Sequence, residues 1–524
     1  MKLFDLIKNI KTTEITETNL DLQSPENPKS NFEICNITTN SADVKINSMF
    51  ICLIGTKADG HKYIGEAVKN GAAILVLEYK PKDFELYKDT PYIIVKNTRE
   101  TEARLWAEWY GNPAADIKII GITGTNGKTS VSYMIKQILD DAGYKTALFG
   151  TIKYIIGDIE RESKLTTSDP EELARLFALA RDEEVDYAVM EVSSHSLEFD
   201  KIAGLGILDI GIFTNLTQDH LDFHITMENY KKAKAKLFRK CKIGILNADD
   251  KSAEDIINVS SSKNYLYGKS GKSKKKIDFT AKNIEYLGVN GIEYDFCYNN
   301  YNNEEDKENK DNNGEINKCS RISSPMPGEF YVDNTLAAAT CGILLGIDEE
   351  IISEALKKVK IRGRIEKLET DTPYSVFIDY AHTPDALENV LKSIRTFTAG
   401  RIITLFGCGG DRDKTKRPIM GKIASDYSDY CVITSDNSRT EEPLDIIRDI
   451  VAGIEDIYKE YYTVIDRREA IEYAMKIAQP NDVILLAGKG HEDYINEKGK
   501  IRHFSESETV FDILQNKNYN IWSI

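Results

Sequence analysis

The segment Gly124-Thr125-Asn126-Gly127-Lys128-Thr129-Ser130 combines two glycines, an ammonium and hydroxyls in a short stretch. That is the equipment needed to hold a triphosphate. Glycine lets backbone amides approach phosphate closely, and a following helix N-terminus favours an anion. The spacing departs from the plain G-x-x-x-x-G-K-T form, because Ile122 stands five positions before Gly127 and the extra glycines are Gly121 and Gly124. Lys128 is expected to hold the β- and γ-phosphates and the Thr129 hydroxyl to bind Mg²⁺.

Further clusters carry the other groups such chemistry requires. Glu191 closes an apolar run just before Ser193-Ser194-His195, a position suited to a carboxylate that completes a Mg²⁺ shell. Residues 215–224, Asn-Leu-Thr-Gln-Asp-His-Leu-Asp-Phe-His, offer closely spaced oxygen and nitrogen donors. Met227–Lys236, rich in lysine, reads by composition as an exposed basic helix. Of seven histidines, His61, His195, His220, His224, His382 and His491 fall in polar clusters, and only His503 does not.

The elements that must position these groups follow from periodicity. Ile117–Thr123 reads as a strand entering the glycine loop, and Val131, Met134, Ile135, Ile138 and Leu139 recur at helical spacing up to Gly143. Strands are expected at Tyr187–Val192, Ile207–Phe213 and Lys242–Leu246, each leading into a polar cluster. Ligands of open α/β sheets bind beyond the carboxyl ends of strands, so these clusters stand where chemistry belongs. A second set at Tyr374–Tyr380, Arg401–Gly407, Tyr430–Ser435 and Asp482–Ala487, with a helix at Asp385–Phe397, reads as a separate α/β domain. Residues 1–112 hold short mixed strands (Ser48–Leu53, Ala73–Leu77, Tyr92–Val95) and end at Gly111-Asn112-Pro113. The expected class is α/β with three domains, at 1–112, 113–360 and 361–524. Tyr301–Lys318 and Lys269–Lys276 read as solvated surface insertions.

A chain of 524 residues is too long for one core, and 41% hydrophobic with 29% charged residues is ordinary globular composition. Acidic residues outnumber basic ones by 84 to 68, a net charge of −16, which opposes nucleic acid or an anionic membrane as a bulk partner. Eight cysteines without a C-x-x-C pair suggest neither a disulfide framework nor a zinc site. No signal peptide or membrane-spanning run is visible, so a cytoplasmic protein is expected.

Taken in order, Thr123–Ser130, Glu191–Leu197, Asn215–His224, Asp379-Tyr-Ala-His-Thr-Pro384 and Ala487-Gly-Lys-Gly-His-Glu492 resemble the motifs of the Mur ligases. Within that family they are most similar to the MurE type, the UDP-N-acetylmuramoyl-L-alanyl-D-glutamate:diamino-acid ligases of peptidoglycan precursor synthesis. The resemblance runs from about Ile37 to the C-terminus, interrupted by the polar insertion. It implies a UDP-binding N-terminal domain, a central ATPase domain and a Rossmann-like C-terminal domain, acting as a monomer.

By resemblance, Gly124, Thr125, Asn126, Gly127, Lys128, Thr129 and Ser130 cradle ATP, with Asn334 and Arg364 at the adenine and phosphate regions and Asp379 and His382 nearby. Thr129, Glu191 and His220 hold Mg²⁺, and Lys234 matches the family's carbamylated lysine; Lys128, Lys234 and His220 form the catalytic set. Ser41, Thr56, Lys57 and Ala58 match the uridine segment, and Thr166, Thr167, Ser193 and Lys201 the muramoyl-peptide contacts. The chain departs from the family pattern at Asn40-Ser41-Ala42, where Asp-Ser-Arg is frequent, at Lys201, where Arg is usual, and at Phe199, where some members carry Gln.

Asp436-Asn437-Ser438-Arg439 resembles the Asp-Asn-Pro-Arg motif of diaminopimelate-adding members, with Ser in place of Pro, and Arg412 matches a second substrate arginine. A guanidinium fork is the natural partner of the distal carboxylate that lysine lacks. Gly488 and Glu492 would take the distal ammonium. Diaminopimelate is therefore expected ahead of lysine or another diamino acid, its amine attacking an acyl phosphate made from ATP on the UDP-linked dipeptide. The competing classes are another ligase of the superfamily, such as a folylpolyglutamate synthase, and a phosphate-loop NTPase switch without ligation. The latter leaves Lys234 and Arg439 without a role.

Overall fold

The computed structural model describes residues 1–8, 10, 14–23, 27, 31–55, 58–163, 165–269, 277–298, 318–454 and 460–516. The expected Thr56 and Lys57 contacts and most of both polar insertions lie outside the described residues. The chain divides into two compact units, one of Met1–Gly121, Lys145–Asp209 and Lys240–Lys242, the other of Ile122–Tyr144, Ile210–Arg239 and Ile243–Ile524.

In the first unit, five strands lie in the order Ile15–Thr18, Tyr92–Val95, Ala72–Leu77, Ser48–Ile51, Asn36–Thr38. Only the first pair is antiparallel. Alternation of side chains along a strand gives this sheet two apolar faces. Met49, Ile51, Ile74, Val76, Ile93 and Val95 pack with Leu105 and Trp106 of the helix Thr98–Trp109 on one face. Phe50, Cys52, Leu75, Leu77, Tyr92 and Ile94 pack with Ile64 and Ala67 on the other. The same unit holds Tyr187–Glu191 parallel to Thr146–Phe149, followed by two antiparallel strands at Lys153–Ile156 and Ile159–Glu162.

The strand Lys118–Thr123 delivers the glycine loop, and in the second unit the helix Lys128–Asp141 begins directly after Gly127. Val131, Met134, Ile135, Ile138 and Leu139 are buried, as their spacing requires. Cys241–Asn247, Lys263–Lys269 and Phe279–Tyr286 run parallel, then Ile292–Tyr298 and Lys318–Ser324 turn back antiparallel. Cys297 and Cys319 face each other in that last pair, with Cα atoms 4.1 Å apart, and are disulfide-bonded. This corrects the expectation that the cysteines form no such bond. A pairing across 22 residues leaves no local spacing signal; only strand register creates it.

A second correction concerns Lys269, expected in a solvated run. It is buried, and its ammonium bonds Glu329 at 3.2 Å and Asp333 at 2.9 Å, the latter on the helix Glu329–Leu344.

The C-terminal sheet has the order Glu366–Leu368, Ser375–Asp379, Val483–Ala487, Ile402–Phe406, Tyr430–Thr434, Glu460–Val464, all parallel after the first pair. Its central strands Ile402–Phe406 and Val483–Ala487 are buried along their whole length, with Thr404 the one polar residue among them. Ala470, Ile471, Ala474 and Met475 of the helix Arg467–Ile477 pack on one face of the sheet. Among the described residues, no helix is long and apolar enough to cross a membrane.

Candidate active site

The glycine loop is held open by the strand beside it. Asn126 N–H donates to Asn215 Oδ1 at 2.9 Å, and the Asn126 carbonyl accepts from Thr214 Oγ1 and Asn215 Nδ2 at 2.6 and 3.1 Å. Thr125 Oγ1 lies 3.2 Å from Tyr230 Oη and accepts from Thr217 N–H at 3.0 Å. Gly127 has φ +86°, the left-handed region that a side chain disfavours, and a Cβ there would meet Asn334 Oδ1 at 2.5 Å. A Cβ on Gly124 would overlap the Thr214 hydroxyl. Lys128 Nζ donates to the Gly124 and Thr125 carbonyls, both at 2.9 Å, and Lys234 Nζ donates to the same Gly124 carbonyl at 2.8 Å. The Lys128 ammonium beside a helix N-terminus and a glycine cradle fits the phosphates of ATP, and Lys234 shares its carbonyl partner.

Lys234 is 1% exposed, so the basic helix Met227–Ala235 is not exposed at this position. Burial, then the like charge of Lys128, holds its ammonium well below the ordinary lysine range. Its Nζ also lies 4.4 Å from the Tyr230 ring centre. Nearby, Asp219 sits 3.3 Å from His220 Nε2 and 4.0 Å from Lys416 Nζ. Burial alone would raise this carboxyl, but His220, Lys416 and His382 outweigh it and hold it down to about 2. His220 itself adopts a left-handed backbone, φ +54°.

The C-terminal sheet reaches the loop through two contacts. Asn126 Nδ2 donates to Asp385 Oδ2 at 2.7 Å, and Arg364 Nη2 donates to Thr129 Oγ1 at 3.1 Å. Arg364 is steered by its surroundings: its guanidinium lies 4.8 Å over the Tyr380 ring, and Tyr331 Oη donates to its carbonyl at 3.4 Å. Asp379 accepts the Ile365 and Ala381 N–H groups, both at 2.7 Å. Burial pushes its carboxyl up to about 6, against the pull of Arg364. His382 Nδ1–H donates to the Tyr380 carbonyl at 3.0 Å, and burial, with Lys416, pushes the imidazole down to about 4.

The loops after Tyr430–Thr434 and Val483–Ala487 carry the expected amino-acid pocket. Asp436, Asn437 and Ser438 are buried, and Arg439 Nη1 donates to the Gly410 carbonyl at 2.6 Å. A Cβ on Gly409 would lie 2.9 Å from Arg439 Nη1 and 3.9 Å from Arg412 Cγ, so the two arginines flank one glycine. Asn437 Nδ2 donates to Glu492 Oε2 at 2.8 Å, and Asn437 Oδ1 accepts from Asn496 N–H at 2.8 Å. Gly488 N–H donates to the Asp379 carbonyl at 3.0 Å, and a Cβ on Gly488 would approach Asp436 Oδ2 to 3.2 Å. Beneath both loops, buried Arg467 donates to the Ser435 carbonyl at 3.2 Å, the Ala487 carbonyl at 2.8 Å and Glu506 Oε1 at 2.7 and 2.9 Å.

The remaining expected residues lie in the first unit. Glu191 is buried; its carboxylate accepts Thr151 N–H at 2.8 Å and Thr151 Oγ1–H at 2.9 Å. Its carbonyl accepts from Thr167 Oγ1 at 2.9 Å, which in turn accepts from Ser193 N–H at 3.0 Å. Thr166 Oγ1 lies 3.2 Å from Thr151 Oγ1, so Thr166, Thr167, Glu191 and Ser193 form one polar group. Lys201 bonds Asp169 at 2.6 Å. Ser41 donates to Glu66 at 2.6 Å, and the Ala58 carbonyl accepts from Gly55 N–H.

Sequence reading missed Asp385, Lys416, Arg467 and Lys489. Lys489 stood inside the Ala487–Glu492 motif, but neither its burial nor the others' partners carry a local signal.

A glycine loop between a strand and a helix, with a parallel C-terminal sheet whose loops bear arginines and carboxylates in the same unit as that loop, defines a nucleotide-dependent α/β enzyme. Three family models match consecutive segments: the catalytic domain of the Mur ligase family over residues 33–110, the Mur ligase middle domain over 122–342, and the Mur ligase glutamate ligase domain over 363–490. The chain belongs to the Mur ligase family of ATP-dependent ligases and has its three-domain architecture. It is similar to the UDP-N-acetylmuramoyl-L-alanyl-D-glutamate--2,6-diaminopimelate ligase of Clostridium botulinum, 44% identical over 92% of this chain and 95% of that protein. The protein of the same name from Clostridium tetani is 41% identical over 98% of this chain and 99% of its own. A solved structure of a ligase of that name superposes with a TM-score of 0.63 at 27% identity, covering 93% of this chain and 96% of that one.

Proposed function

We propose that this enzyme joins a diamino acid, meso-2,6-diaminopimelate, to the D-glutamate γ-carboxylate of UDP-N-acetylmuramoyl-L-alanyl-D-glutamate, at the expense of ATP, in peptidoglycan precursor synthesis. The observation that carries the reading is the presence, in one unit, of the glycine loop on whose Gly124 carbonyl Lys128 and Lys234 converge and of the loops that carry Arg412, Arg439, Asp436 and Glu492. A diamino acid with two carboxylates presents matching charges to such groups, and the guanidinium fork selects a distal carboxylate.

Lys128 and the loop amides bind and orient the ATP phosphates while the γ-phosphoryl passes to the carboxylate of the dipeptide. Phosphate is then the leaving group when the incoming amine attacks the acyl carbon, and the contacts Asn126–Asp385 and Arg364–Thr129 tie the glycine loop to the C-terminal domain. Thr129, His220 and a carbamylated Lys234, all in the second unit, would hold Mg²⁺, which would offset charge on the transferring phosphoryl. The lowered proton affinity of Lys234 supports carbamylation, because only a neutral amine condenses with CO₂. In this reading Thr166, Thr167, Ser193 and Lys201 take the peptide, Ser41, Thr56, Lys57 and Ala58 the uridine, and the domains divide at residues 112/113 and 360/361, in the gaps between the matched segments. The enzyme acts as a cytoplasmic monomer, where ATP is supplied.

Phosphate release with ATP, Mg²⁺ and the UDP-dipeptide should require an amino acid, with meso-diaminopimelate preferred over LL-diaminopimelate and lysine. Release that ignores the amino acid would make the protein an NTPase and reject the ligase reading; preference for lysine would reject the pocket assignment.

A further inference from the structure

Lys489 lies in the loop between Gly488 and Gly490, and its side chain is wholly shielded from solvent. Its Nζ is 3.2 Å from Glu492 Oε2, 3.4 Å from Asp436 Oδ1 and 3.5 Å from Asn437 Oδ1, and it lies 5.5 Å from the Tyr494 ring centre. An ammonium has three protons, and here three acceptors surround it. Two of those acceptors are carboxylates on loops from different strands, which would repel each other in a buried setting without a shared cation. Asn437 completes the cluster by donating to the same Glu492 oxygen at 2.8 Å, and Tyr380 Oη stands 3.4 Å from the other.

We propose that Lys489 is a positioning residue for the amino-acid substrate: an internal ammonium that draws Asp436, Asn437 and Glu492 into one cluster, so that Glu492 is already oriented when the distal ammonium of a diamino acid arrives. The proposal rests on the reading that Glu492 receives that distal ammonium. Lys489 does not touch the reacting atoms, and its effect is confined to recognition of the distal amine. ATP binding at the Lys128 loop and the acyl-transfer step proceed without it.

The test uses the full-length enzyme with saturating ATP and UDP-dipeptide, comparing meso-2,6-diaminopimelate with 2-aminopimelate, which keeps the distal carboxylate and lacks the distal amine. In Lys489→Met the KM for diaminopimelate should rise by about 30-fold, the scale of losing hydrogen bonds to charged groups, while kcat and the KM for 2-aminopimelate stay within about 3-fold of wild type. Glu492→Gln should erase the same preference for the diamino acid. If Glu492→Gln leaves the preference intact, the reading of Glu492 falls and takes the proposal with it. If Glu492→Gln erases it and Lys489→Met does not, the proposal alone is overturned. A Lys489→Met enzyme in which the KM values for ATP, 2-aminopimelate and diaminopimelate rise together, with a lower unfolding temperature, assigns Lys489 a structural role only and also overturns it. Should that variant not fold, Lys489→Gln, whose amide donates to at most two of the three acceptors, carries the same comparison.

Discussion

Arg467 offers a quantitative test of how the amino-acid pocket is built. Its side chain is 0% exposed and makes four hydrogen bonds, two to Glu506 Oε1 and one each to the Ser435 and Ala487 carbonyls. Those carbonyls immediately precede Asp436 and Gly488, so one guanidinium sets the starting point of both loops. Replacing Arg467 by Met removes one partner of a buried ion pair, a change of about 3–5 kcal/mol, because the buried Glu506 carboxyl loses its partner. At about 1.4 kcal/mol per factor of ten, the amides of the strands Tyr430–Thr434 and Val483–Ala487 should exchange with solvent at least roughly 100-fold faster, as read by hydrogen exchange in the full chain. The double variant Arg467→Met, Glu506→Leu should recover most of the loss, since an apolar pair replaces an ionic one at no net desolvation. An acceleration under about 5-fold in Arg467→Met would refute the assignment of this pair as the anchor of the two loops.

Three further outcomes follow from the same geometry. Gly127→Ala adds left-handed strain of about 1–2 kcal/mol and a contact with Asn334, so the KM for ATP should rise by about 10-fold or more in a steady-state assay. Arg439→Ala should lower kcat/KM for the diamino acid by about 100-fold with ATP affinity unchanged, and Arg439→Lys should recover only part, because an ammonium lacks the planar fork; equal activity of the lysine variant would count against carboxylate recognition there. Burial pushes His382 down to about 4 and His491 down to about 3, so both are neutral in the folded protein while the unfolded chain takes up protons below its ordinary histidine value. The stability they contribute is complete above about pH 6.5 and is lost as the pH falls toward 4; denaturation at several pH values should show a decline in that window, up to about 3 kcal/mol for His382, that His382→Gln flattens.

Much of the site was legible because it is local. The glycine loop, the strand before it and the helix after it are consecutive, so residue type and spacing define all three, and the strand expected at Ile117–Thr123 is observed at Lys118–Thr123. The same holds for the C-terminal strands, where uninterrupted apolar runs such as Val483–Ala487 announce burial on both faces. Lys234 shows the limit of that logic. Composition places it on an exposed basic helix, and only the resemblance to the family's motifs singles it out; its burial against Gly124, 110 residues away in sequence, is a tertiary fact. Lys269 and the Cys297–Cys319 bond failed for the same reason, their partners being set by strand register and by a distant helix.

By itself, then, the sequence determined the class of chemistry, because phosphate binding needs particular residue types at fixed short spacing, together with the periodicities that build parallel sheets. It also determined the net charge of −16, which describes the surface as a whole. The tertiary structure alone decided which charges work in pairs: that Lys128 and Lys234 share one carbonyl, that Arg364 reaches Thr129, and that Lys489 stands between Asp436 and Glu492. Burial strengthens each of these interactions by excluding water, and burial is a property of the packed chain that no single segment carries.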